Sequence, residues 1–387
     1  MERYRKCVYC ETRFLRRYIS KLDKLQKDTL SHEHEMWESI KSLIFSSDIK
    51  LCLDISKETF DGYMQRIDQK RQKASETKHR VRLTAFERLL LDLNYKQAVN
   101  EVHLKFIEDF PQIKKFRVDK QLDLLNAFYF TCEDKKTCEM ISKHYGIIVL
   151  SPDNISELSP VLLDQGVALR KREISNWQKI LHKTYFPCNS AIIVDNYVLN
   201  ETEQMIENLK GIFDAILPYS LNPGAPFHIS IFTALKRDKR TDLPSQIRLE
   251  KITEMIHEIR PELNFKLSIL KCSSDQFHDR TIITNNAYIG CGAGFNLFNK
   301  GKSQKTTTVN IVFPFLNHNI KWASGAYSNL ISDLLGVYNN VTEFQRDCIP
   351  NFFIGVKVNR ILDSVKHLTK ESRIIPQSIL SSIRATT

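Results

Sequence analysis

Phe277-His278-Asp279-Arg280-Thr281-Ile282-Ile283-Thr284-Asn285, followed by Ile289-Gly290-Cys291-Gly292-Ala293-Gly294-Phe295-Asn296-Leu297-Phe298, is the text on which the fold turns. His278 and Arg280 stand two apart where a strand begins, so they share one face of it. A guanidinium forks onto two phosphate oxygens. An imidazole beside it can act as nucleophile or general acid. Gly290, Gly292 and Gly294 let a backbone approach a ligand closely or form a bulge. Two roles stay open for His278 and Arg280: a catalytic pair, or a phosphate-binding or structural pair.

Outward from this stretch the text alternates strand and helix. Ala191 to Val194 reads as a buried strand. Residues 200–216 read as an amphipathic helix stopped by Pro218. Phe227 to Phe232 is a strand, 243–259 a helix and Phe265 to Leu270 a strand. Consecutive strands follow at Thr281–Thr284, Ala287–Ile289 and Thr307–Phe313, then a helix over 319–336. Alternating β and α followed by a meander predicts a mixed sheet covered by helices.

An earlier block shows the same alternation. Ile49, Leu51 and Leu53 mark a short strand ending at Asp54, and 57–75 and 82–107 have helical spacing. Leu125 to Phe130 is a strand. Lys135 to His144 is a helix closing at Gly146, and Ile147 to Leu150 is a strand. Residues 1–47 read as helix from the recurrence of Phe14, Leu15, Tyr18, Ile19, Leu22 and Leu25. Cys7-x-x-Cys10, with His32 and His34 after it, has the spacing of half a zinc site. The fold class expected is α/β, with two α/β domains over 48–155 and 189–345. They are accompanied by a helical N-terminal segment (1–47), a helical connector (156–188) and a C-terminal extension (346–387).

The stretch around His278 resembles the signature of phospholipase-D-like domains, H-x-K-x4-D followed by a glycine-rich turn. His278 matches the His, Arg280 stands for the Lys and Asn285 for the Asp. It is closer to the variant in the C-terminal domain of MIT-domain proteins, which His278-Asp279-Arg280-x-Ile282 and Gly292-x-Gly294-Phe295-Asn296-Leu297-Phe298 fit. The resemblance implies a phospholipase-D-like mixed sheet over 189–345. It implies His278, Arg280 and Asn285 as catalytic positions, and Arg280, Gly292, Gly294 and Asn296 as phosphate-binding ones. Active members pair two motifs, in one chain or across a homodimer; this chain has one. His228, in Phe227-His228-Ile229-Ser230, lacks a Lys two residues on.

In the first block, Asp54, Glu87, Glu133 and Asp134 are the candidate catalytic carboxylates, and Asp54, Glu133 and Asp134 the candidate metal ligands. Carboxylates at strand ends of an α/β sheet converge on one edge, where Mg²⁺ or Mn²⁺ would be held. Their order resembles PIN-like nuclease domains, with Thr131-Cys132-Glu133 standing for T-x-D.

The chain has 387 residues, with 56 Lys and Arg against 45 Asp and Glu, a net charge of +11. That surplus favours an anionic partner. Residues 65–82 concentrate it, with Arg66, Lys70, Arg71, Lys73, Lys78, Arg80 and Arg82. No apolar run suits a transmembrane helix and the N-terminus has no secretory h-region, so the expectation is a cytoplasmic protein with reduced thiols. The expected function is a nucleic-acid-directed protein, a nuclease effector or sensor resembling bacterial defence-type proteins. The alternative is a non-catalytic phosphate- or protein-binding module that forms a homodimer or binds a partner protein through its C-terminal domain. A membrane-surface role ranks third.

Overall fold

The computed structural model describes residues 4–22, 30–107, 125–155, 167–169, 174–181, 187–199, 203–234, 245–272, 280–303, 306–315, 321–344 and 351–364. His278 and Asp279 lie outside these residues. The fold is α/β, with two large sheets and a two-stranded ribbon among the described residues.

The first sheet has five parallel strands. They are β1 (Lys6–Cys10), β2 (Ile49–Leu53), β3 (His103–Phe106), β4 (Ala127–Phe130) and β5 (Ile148–Leu150), in the order β3-β2-β1-β4-β5. Parallel neighbours need crossover segments. These are supplied by α1 (Thr12–Leu22) with α2 (Leu30–Ile44), then α3 (Lys57–Glu76) with α4 (Ala85–Ala98), and α5 (Lys135–Tyr145). Chain order reverses between β1 and β4, which makes the carboxyl ends of β1 and β4 the switch point where α/β sheets place their sites.

The expected helix over 1–47 is therefore corrected. α1 and α2 are helices, but β1 precedes them and is the central strand, so the first unit begins there rather than at residue 48. Its inward positions are Tyr4, Lys6, Val8 and Cys10, all buried, with Cys7 and Tyr9 half-buried between them. A lysine among the inward residues hides the period of two. Cys7 and Cys10, three apart on a strand, face opposite sides and do not form half a zinc site. The helical reading of 82–107 is likewise cut short. α4 ends at Ala98, and the half-buried β3 follows as an edge strand.

The second sheet has nine strands among the described residues. Its centre is β7 (Ser190–Val194), β8 (Phe227–Thr233) and β9 (Phe265–Lys271), mutually parallel. β10 (Thr281–Thr284), β11 (Tyr288–Cys291) and β14 (Thr307–Val312) continue antiparallel. The sheet outgrows the expected limits 189–345. β6 (Val167–Leu169), within the expected helical connector, pairs with β14. β16 (Phe352–Gly355), within the expected C-terminal extension, lies between β15 (Thr342–Glu343) and β9. α6 (Trp177–Leu181), α7 (Glu203–Ile216), α8 (Ser245–Ile259) and α9 (Lys321–Asn340) accompany it. A small ribbon joins β12 (Phe298–Asn299) to β13 (Lys302–Ser303). Among the described residues no helix is long and apolar enough to cross a membrane.

One contiguous apolar core runs through both sheets, and a polar seam joins them. Lys6 is fully buried. Its Nζ donates to Asn126 Oδ1 at 2.7 Å and to the Asn285 carbonyl, and lies 4.9 Å from the Phe128 ring centroid. The Asn285 side chain accepts from Asn189 N at 3.0 Å and donates to Gly146 O at 3.0 Å. Asn189 Nδ2 donates to Leu125 O and Tyr145 O. Arg360, also buried, donates to Asn189 O and Pro226 O. Burial without a carboxylate partner disfavours the charged amine and pushes Lys6 down to about 7.

Candidate functional site

At the carboxyl edge of the first sheet, Cys10 pairs with Leu53 in register, so Glu11 and Asp54 emerge side by side from β1 and β2. Asp54 Oδ1 accepts from Thr12 N at 2.6 Å, tying it to the first turn of α1. Glu11 accepts from Thr131 Oγ1 at 2.6 Å and from Cys132 N at 2.8 Å, which ties β1 to the end of β4. Burial, then the charges of Asp54 and Glu11, push the Cys10 thiol well up. Glu11 is the carboxylate that sequence reading missed, because β1 was missed. The signal was available: an acid directly after a strand, the same pattern that marked Asp54.

The other expected carboxylates are spread apart. Asp134 is the N-cap of α5, accepting from Thr137 N at 2.9 Å and Thr137 Oγ1 at 2.8 Å. Glu133 lies half-buried just before it, its N–H on Thr131 Oγ1. Glu87 closes a capping box with Thr84 on α4 and pairs with Lys70 at 2.5 Å. The Lys70 hydrogen bond is the main cause holding the Glu87 carboxyl below its ordinary range. Among the described residues no three His, Cys, Asp or Glu side chains gather where a metal ion would sit. The edge brings two carboxylates together, Glu11 and Asp54, and Glu87 and Asp134 are engaged as caps elsewhere.

In the second sheet Arg280 immediately precedes β10. Its Nη1 donates to Gly292 O at 2.9 Å, and its guanidinium lies 5.8 Å from the Tyr197 ring centroid. Gly294 has φ +78°, and a Cβ there would come within 2.9 Å of Arg280 Cδ and 3.5 Å of Asp195 Oδ2. Glycine thus makes room for the arginine stem. A Cβ on Gly292 would meet open space. Asp195, at the carboxyl end of β7, accepts from Tyr197 N at 2.7 Å and Phe295 N at 3.3 Å, which fixes the turn against which Arg280 lies. Asp195 was not foreseen, although it too follows an apolar strand. Asn296 turns to the buried Asn208, a hub that also bonds Trp177 Nε1, Leu297 N and Phe298 N.

Asn285 is at the other end of β10 from Arg280, with both ends of its amide engaged in the seam. The structure does not bring these two expected partners together. His228, the second residue of β8, lies opposite Ser190 at the seam end of β7, whereas Arg280 adjoins Thr281, opposite Val194 at the far end. Burial, with Arg360 and Lys266 nearby, pushes His228 down to about 3. It does not meet Arg280 within the chain.

The third feature is the α3–α4 hairpin. Of the twenty residues of α3, only Phe60, Ile67 and Ala74 are buried, a single narrow stripe at spacing seven. From Ser75 to Arg82 every residue is exposed. Residues 65–82 hold seven Lys or Arg against two acids, a net of five of the chain's eleven surplus charges. Arg66 rests 4.5 Å from the Tyr63 ring centroid and donates to Gly62 O, and Lys70 is held by Glu87. Arg71, Lys73, Lys78, Arg80 and Arg82 have no ion-pair partner among the described residues.

No family model matches this chain, and no curated protein matches it in sequence.

Proposed function

We propose that this is a nucleic-acid-binding protein that docks the α3–α4 hairpin on a phosphodiester backbone, with Arg280 as a second phosphate contact. The observation that carries the reading is the run of five exposed cations with no ion-pair partner among the described residues, on a stretch that buries almost nothing. Exposed like charges repel one another and contribute nothing to the core, so their concentration is accounted for by an anion outside the chain. Arg280 adds a guanidinium steadied by Gly292 O and Tyr197, with its remaining N–H groups, which have no hydrogen-bond partner among the described residues, available to fork onto phosphate.

The test is binding of labelled RNA and DNA over a salt series. Affinity falls steeply with salt. The quadruple change Arg71→Gln, Lys73→Gln, Arg80→Gln, Arg82→Gln lowers it by more than about tenfold and flattens the salt slope by about one unit for each phosphate no longer neutralised. Arg280→Gln has a smaller effect of the same sign. Binding that ignores all five substitutions overturns the reading, as does flotation with anionic liposomes in the absence of any nucleic-acid affinity.

A hydrolytic reading is favoured by one observation, the carboxylates of Glu11, at the switch point of the first sheet, and of Asp54 beside it. Cleavage of bound RNA or DNA in Mg²⁺ or Mn²⁺ that is lost in both Glu11→Gln and Asp54→Asn would establish it. Intact substrate under those conditions would leave binding as the function.

A further inference from the structure

Arg66, Lys70 and Lys73 recur at four and three residues along α3, so they stand in one row beside the buried stripe of Phe60, Ile67 and Ala74. At about 1.5 Å of rise per residue they span roughly 10 Å of helix axis, a row that one strand of backbone can follow. Its middle member is occupied. Lys70 Nζ lies 2.5 Å from Glu87 Oε1, and Glu87 is anchored from the other side, where Oε2 accepts from Thr84 N at 2.9 Å and Thr84 Oγ1 at 3.2 Å. The Glu87 side chain is only 16% exposed, against 45% for Lys70. The carboxylate is thus fixed by the start of α4, and the lysine is the more exposed partner that reaches to it. A carboxylate so held presents the charge and acceptor geometry of a phosphate to the central cation of the row.

We propose that Glu87 is an intramolecular competitor for phosphate that makes the hairpin selective for phosphodiester chains over isolated phosphates. The inference rests on the nucleic-acid reading above and adds its specificity determinant. A single phosphate gains little by displacing a carboxylate already in place. A chain already held by Arg66, Lys73 and the cations of 78–82 offers the next phosphate to Lys70 at high effective concentration. Lys70 then leaves Glu87 for the ligand, and Glu87 keeps its capping bonds to Thr84.

Glu87→Gln tests this directly, because Gln at the third helical position still closes a capping box; circular dichroism through an unfolding scan verifies that the fold is kept. With a short fluorescein-labelled oligonucleotide as probe, Glu87→Gln binds about two- to fivefold tighter than the wild type, the range of an exposed ion pair. Inorganic phosphate also competes at lower concentration against the variant. In a Lys70→Gln background the gain from Glu87→Gln disappears. The proposal is overturned if Glu87→Gln leaves affinity unchanged. It is equally overturned if the gain persists without Lys70, since Glu87 would then act only as a distant repulsive charge. Failure of the underlying reading looks different: the quadruple hairpin variant would bind as well as the wild type whatever Glu87 does.

Discussion

Lys6 and Lys73 are the same side chain in opposite situations. Lys6 sits at the seam between the two sheets, wholly buried, with Asn126 Oδ1, the Asn285 carbonyl and the face of Phe128 around its amine. Lys73 stands in solvent on a helix that buries one residue in seven, its ammonium without an ion-pair partner among the described residues. At the seam, neutral acceptors replace water around the amine and the fold depends on them. On the hairpin, water is the partner and the fold is indifferent. The side chain is identical in the two places, and burial decides whether it serves structure or recognition.

The largest test of this contrast is Gly146→Ala. Gly146 closes α5 at φ +63°, and a Cβ would come within 2.3 Å of Cys188 O and 2.8 Å of Asn189 Cβ, where the two sheets meet. The left-handed conformation and the forced displacement together cost on the order of 4 kcal/mol, read as a lowered denaturant midpoint. Next comes Asn285→Ala. It strands the buried Asn189 N–H and Gly146 carbonyl and destabilises by about 2–4 kcal/mol. A value near zero would show that the seam does not hold the sheets together.

Lys6→Met sharpens the comparison through pH. Burial lowers the Lys6 amine from its ordinary 10.5 to about 7. Between those values the unfolded chain holds a proton that the folded chain lacks, so folding gains stability as pH rises through that window. Methionine removes this dependence and leaves Asn126 Oδ1 and the Asn285 carbonyl without their donor, a loss of about 1–3 kcal/mol. The stability advantage of the wild type over Lys6→Met therefore widens as pH climbs from about 7 toward 10.5. A difference that stays flat would show Lys6 remaining charged in the fold. The smallest effect belongs to the hairpin. Arg71→Gln, Lys73→Gln, Arg80→Gln or Arg82→Gln each shifts unfolding by no more than about 0.5 kcal/mol while weakening nucleic-acid binding. A hairpin substitution that unfolds the protein would erase the distinction.

Much of the second sheet was legible because its central strands carry apolar runs. β7, β8 and β10 read as buried runs, and the turn from Gly290 to Phe298 marked itself with three glycines. β1 was not legible, because Lys6 occupies an inward position and turns an alternating strand into text that looks like a charged helix. β3, β6 and β16 were missed for a related reason. Edge or short strands of three or four residues carry too little periodicity to stand out from their neighbours. Missing β1 also hid Glu11. Asp134 and Glu87 looked like site residues because a carboxylate after a strand and one opening a helix use the same letters. Only the partners, Thr137 for one and Thr84 with Lys70 for the other, distinguish a cap from a ligand.

What the sequence determined by itself was the α/β class, the basic surplus and its concentration in residues 65–82. Composition and periodicity are local properties that survive without knowing which strands meet. What only the tertiary structure decided was pairing. It placed Glu11 beside Asp54, Asp195 near Arg280, and Asn285 against Lys6, from positions far apart in the chain. Side chains so distant along the backbone have no local signature of their meeting, because sheet order and crossover direction bring them together, and those are settled by the burial of the whole core.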